Sequence, residues 1–108
     1  MADRLYIVVR EDLCHAQQAV QGMHAFRLFV AEHEEVERAW YATSNTLSFL
    51  SVPGAEALAD LLDHAEARGL RASVFHEPDL GDDVATAAAF EPRAKSLLRD
   101  LPRALGGR

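Results

Sequence analysis

Leu5-Tyr6-Ile7-Val8-Val9 is an unbroken apolar run rich in β-branched residues. Without alternation, such a run predicts a central strand covered on both faces of a sheet. From Ala16 to about Val36, Ala19, Val20, Met23, Phe26 and Val30 recur at steps of three and four, followed by Ala39 and Trp40. That spacing predicts one long amphipathic helix, which Asp12 is placed to cap. Gly22 inside it costs about 1 kcal/mol against Ala and therefore marks a close contact of the helix. Thr43-Ser44-Asn45 is turn chemistry, and Thr46 to Val52 reads as a second strand. Pro53 precedes a helix over Ala55–Arg68 with Leu58, Leu61, Leu62 and Ala65 on one face, and Gly69 stops it. Arg71–His76 is a third strand, Pro78–Asp83 an acidic turn and Val84–Phe90 a fourth, Ala-rich strand. Pro92 opens a last helix to about Leu101, where Pro102 ends it.

The order is β-α-β-α-β-β-α. Strands separated by helices favour an α/β sheet covered on both sides. The short step between the last two strands makes a hairpin, so the sheet is mixed and contains an antiparallel pair. Residues 1–108 form a single domain with a flexible tail from about residue 103.

With 17 acidic and 11 basic residues, the net charge is −6. Proteins that grip nucleic acid by its phosphates usually present a basic face. Here one Lys and ten Arg are scattered among more acids, which predicts weak binding of nucleic acid, tRNA or DNA alike, with little salt dependence. A local basic patch is compatible with that balance, because net charge does not set charge pattern. No apolar run approaches the ~20 residues that cross a bilayer, and the first run is too short for a signal peptide. The one cysteine, Cys14, excludes an internal disulfide and suits a reducing cytoplasm.

Phosphate-loop patterns GxGxxG and GxxxxGK[ST] are absent, as is HExxH. Cys14 reads as a small, partly buried thiol, His24 as a buried structural hydrogen-bonder and Trp40 as core. His33 and Glu37, at i,i+4, read as a surface contact rather than a metal site. More telling, Asp12, His15, Gln17 and Gln21 follow the first strand, and Glu77 follows the third. Open α/β sheets bind ligands beyond the carboxyl ends of parallel strands. If strands one and three are parallel, these residues share an edge, where a His and a carboxylate suit acid–base chemistry.

Taken in order, the chain resembles the archaeal and eukaryotic type of peptidyl-tRNA hydrolase, type II. Ile7-Val8-Val9-Arg10-Glu11-Asp12-Leu13 is similar to the family's V-V-R-x-D-L, and Ala19-Val20-Gln21-Gly22-Met23-His24-Ala25 to its A-A-Q-x-x-H-A. Trp40 before the second strand, Leu58–Leu70 and Thr86-Ala87-Ala88-Ala89-Phe90-Glu91-Pro92 continue the match. The resemblance implies a three-layer α/β/α sandwich around a four-stranded mixed sheet. It also implies hydrolysis of the ester between peptide and tRNA without metal or cofactor, and a homodimer. The dimer is further suggested by Phe26, Leu28, Phe29 and Val30, which occupy more than one side of the first helix.

Two stretches depart from the family. His15-Ala16-Gln17 stands where the family has K-G-K, so Gln17 replaces the Lys thought to act at the active site. Glu77 stands for the Asp of D-A-G-x-T, whose Thr is missing, while Thr86 keeps the family's later Thr. The loop also carries Asp79, Asp82 and Asp83, which repel phosphate. The resemblance thus implies Glu77 as base or water-orienter with Thr86, Gln17 and His15 assisting, and Gln21, His24, Arg10 and Asp12 toward the substrate. The alternative is a non-catalytic binding or assembly module on the same fold.

Overall fold

The computed structural model describes residues 3–80 and 84–107. Strands β1 (Arg4–Arg10), β2 (Thr46–Val52), β3 (Ala72–His76) and β4 (Ala85–Phe90) form one sheet in the order β2-β1-β4-β3. β1 is interior, parallel to β2 and antiparallel to β4, and β3 is antiparallel to β4. β1 and β3 therefore run the same way, and their carboxyl ends share one edge.

Helices α1 (His15–Glu32) and α2 (Glu34–Thr43) cover one face of the sheet, whose core includes Leu5, Ile7, Val9, Ala25, Phe29, Trp40, Ala87 and Ala89. Helix α3 (Ala55–Ala67) and the single turn α4 (Lys95–Leu98) cover the other, around Tyr6, Val8, Leu50, Leu58, Leu61, Phe90 and Leu98. This is the expected three-layer α/β/α sandwich. Ala87, Ala88 and Ala89 are fully buried, and their small side chains let both helical layers approach the sheet closely.

Several expectations are corrected. The long first helix is two helices broken at His33 (φ −131°, ψ 53°), where the chain turns so that α2 seats Trp40 in the core. The Trp40 indole then donates to the Thr46 carbonyl at 2.7 Å. The last helix shrinks to a 3-10 turn (Pro92–Ala94) followed by α4. The stretch expected to fray makes hydrogen bonds: Ala104 N–H donates to the Phe49 carbonyl at 2.9 Å, and Leu105 N–H to Gln18 Oε1 at 3.1 Å.

The buried face of α1 is also rotated from the one its apolar spacing predicts. Gln18, Gln21, Gly22, Ala25 and Phe29 are buried, whereas Met23 is 65% exposed and Val20 is exposed. Close approach explains the rotation. A Cβ on Gly22 would lie 2.8 Å from the Phe49 ring and 3.2 Å from Val9 Cγ1, so a larger residue would require the Phe49 ring to shift. Of the residues that suggested a dimer, Phe29 is buried, Phe26 packs edge-on to Trp40, and Leu28 and Val30 are half-buried. Among the described residues, no helix is long and apolar enough to cross a membrane.

Candidate functional site

At the shared carboxyl edge of β1 and β3, three polar side chains converge on the buried amide of Gln21. Its Nε2 donates to Gln17 Oε1 at 3.1 Å, one helical turn earlier, and to Glu77 Oε1 at 3.4 Å. Its Oε1 accepts from Thr86 Oγ1 at 2.7 Å. Both amide hydrogens and the carbonyl are therefore engaged, as a side chain with no exposed surface requires.

Backbone irregularity presents Thr86 to α1. β3 and β4 pair Phe75 with Ala87 and then His76 with Ala85, so Thr86 is the extra residue of a bulge. Strict alternation would turn Thr86 away from the face that Ala87 presents to α1. The bulge breaks that alternation. The hydroxyl also lies 3.2 Å from the Phe75 carbonyl. Having one proton, it makes its shorter bond to Gln21. Glu77 leaves the end of β3, half-buried, ahead of a 3-10 turn at Pro78–Leu80. Asp82 and Asp83 lie outside the described residues.

Because Gln17 Oε1 takes the hydrogen bond from Gln21, its amide NH2 is the end left over. Its two donors have no partner among the described residues. Gln17 thus offers hydrogen-bond donors without charge beside Gln21.

Beside this network, Arg10 ends β1. Its Nε and Nη2 donate to the two Asp12 oxygens at 3.0 and 2.7 Å, and its Nη1 donates to the Ala85 carbonyl at 3.3 Å. The fork ties β1 to the start of β4 next to Thr86. The hydrogen bond from Arg10 holds the Asp12 carboxyl below its ordinary value, against a smaller effect of burial, and the same bond raises Arg10. Asp12 is thus a partner of Arg10 rather than a helix cap, and α1 has no side-chain cap.

His24 is exposed rather than buried. Its ring stacks on Phe75 at 4.5 Å between centroids and 14° between planes, forming a rim two residues before Glu77. His15 is not brought to the network. Two residues on a helix lie roughly 200° apart around its axis, so His15 sits across α1 from Gln17. Its imidazole instead approaches Gly106. Cys14 is exposed, not partly buried. Gln18, which the sequence pattern does not single out, is buried and pins the Leu13 carbonyl at 2.8 Å and Leu105 N–H at 3.1 Å. A legible signal existed: Gln18 and Gln21 fall on the same helical stripe as Gly22, Ala25 and Phe29. Among the described residues, no group of three or more His, Cys, Asp or Glu is placed to hold a metal ion.

The profile of the family Peptidyl-tRNA hydrolase PTH2 matches residues 4–106. The chain belongs to this family. Among solved structures, a protein of unknown function, Atu0240 from Agrobacterium tumefaciens strain C58, matches over 93% of this chain and 96% of that one, with a TM-score of 0.66. At 15% identity that likeness shows the shared fold alone. A search of curated proteins finds no match.

Proposed function

We propose that this PTH2 family member hydrolyses the ester joining a peptide to tRNA, with Glu77 as the base. The observation that carries the reading is the hydrogen bonding of Gln21 to Glu77, Thr86 and Gln17 across three elements. Half-buried Glu77 accepts a proton from water as the water oxygen attacks the ester carbonyl carbon. Charge on the carbonyl oxygen develops toward the Gln17 amide hydrogens. As the tetrahedral species collapses, the ester C–O bond breaks, the proton passes from Glu77 to the departing ribose oxygen, and free peptide acid and tRNA remain. Gln21, having no exposed surface, is a positioning residue: it holds Glu77 and Gln17 in register.

A second reading, a non-catalytic binding module, is favoured by one observation. Gln17 brings no positive charge to where the family has Lys. A turnover assay with a peptidyl-tRNA mimic, run on the unmodified protein beside Gln17→Lys, separates the two. The hydrolase reading predicts turnover that Gln17→Lys increases, since a cation stabilises a developing oxyanion better than a neutral amide. Turnover in neither protein leaves the binding module.

A further inference from the structure

From the start of β1, opposite the Gln21 network, a groove of about 600 Å³ runs along edge strand β2, lined by Arg4, Lys95, Arg99 and Arg103, with Tyr6 and Ser48 on its walls. Four of the chain's 11 basic residues meet there, and no Asp or Glu lines it. The cations are thus gathered by the fold, not scattered. Lys95 and Arg99 are one helical turn apart, and Arg4 donates to Ser48 Oγ at 3.0 Å, which fixes its guanidinium against β2. The ion pairs among the described residues do not involve Arg4, Lys95 or Arg99. Burial raises the Tyr6 phenol, Arg4 and Arg99 pull it back, and Asp3 adds to the rise.

We propose that this groove binds backbone phosphates of an RNA duplex, and this rests on the peptidyl-tRNA reading of the other end. Arg4 and Arg10 terminate β1, and six strand steps separate them by roughly 20 Å. One ligand that engages both ends must span that distance and carry anions along it. An RNA stem whose 3′ end enters the Gln21 network meets both conditions, since paired RNA is recognised chiefly by shape and phosphate contacts.

The test is fluorescence anisotropy with a labelled RNA hairpin that has a single-stranded 3′ tail and no ester, titrated between about 50 and 200 mM salt. Three phosphate contacts predict a slope of log affinity against log salt of about −3. Arg4→Ala/Lys95→Ala/Arg99→Ala should flatten that slope and weaken binding at least roughly ten-fold at the low-salt end. Arg4→Lys/Arg99→Lys, which keeps the charge, should hold the slope. Arg99→Glu alone, at an exposed position, should weaken binding if the triple variant does not fold. A triple variant that binds with unchanged affinity and slope, or a flat slope in the unmodified protein, overturns the proposal. Hydrolysis of a peptidyl-tRNA mimic is measured in parallel. Groove-dependent binding without turnover supports the groove and sinks the hydrolase reading. Turnover with groove-independent binding does the reverse.

Discussion

Gln21 shows how a single buried side chain gathers a site. Thr86→Val removes the hydroxyl that donates to Gln21 Oε1 and leaves a buried acceptor unpaired. Such a loss costs about 1–3 kcal/mol, which chemical denaturation measures directly. Thr86→Ser keeps the donor and should recover most of it. A purely structural Thr86 would leave kcat/KM of the folded fraction unchanged. The network instead predicts a fall of roughly ten-fold, about 1.4 kcal/mol of transition-state stabilisation, with rescue by Ser. At this scale Glu77, Thr86, Gln17 and Gln21 were legible in the sequence because topology and family pattern point to one sheet edge. His15 misleads because closeness in sequence hides a half-turn of helix. Gln18 goes unseen because its partners, the Leu13 carbonyl and Leu105 N–H, lie outside its own helix.

Among the elements, α1 carries the sharpest lesson. Its apolar residues suggest one buried face, yet the sheet selects another, built from Gln18, Gln21, Gly22, Ala25 and Phe29. Periodicity alone cannot see that a bulged strand needs a polar partner, or that a Cβ at Gly22 would require the Phe49 ring to shift. Gly22→Ala sets about 1 kcal/mol of helix propensity against overpacking of typically 1–3 kcal/mol. The variant should therefore lower the melting temperature, and in a Phe49→Leu background the same change should become neutral or stabilising. The break at His33 has no Pro or Gly to announce it and follows from tertiary packing of Trp40. The strands, by contrast, appear within a residue or two of their expected limits, since short apolar runs between turn residues leave little freedom. Arg10, held by Asp12, ties two of them together through its Nη1 bond to the Ala85 carbonyl. Asp12 has its pKa lowered in the folded protein, so its contribution is present above the ordinary value of about 3.9 and fades as pH falls through and below it. Asp12→Asn should reduce thermal stability at neutral pH, and the gap to the unmodified protein should close in strong acid.

The whole molecule has two polar ends joined by β1. One gathers Glu77, Gln17, Thr86 and Arg10, and the other gathers Arg4, Lys95, Arg99 and Arg103. A net charge of −6 conceals this polarity because it averages over a surface the fold divides. The sandwich was readable from element order, but the basic groove was not, because it forms only when α4 packs beside the start of β1. On the proposed function, Glu77 performs ester hydrolysis from the Gln21 network. The most direct measurement is single-turnover cleavage of a peptidyl-tRNA mimic by the unmodified protein, Glu77→Gln and Glu66→Gln, an exposed carboxylate on α3. The account predicts cleavage by the unmodified protein, no loss with Glu66→Gln, and a fall of about 10²- to 10⁴-fold with Glu77→Gln. Cleavage that survives Glu77→Gln undiminished would contradict it.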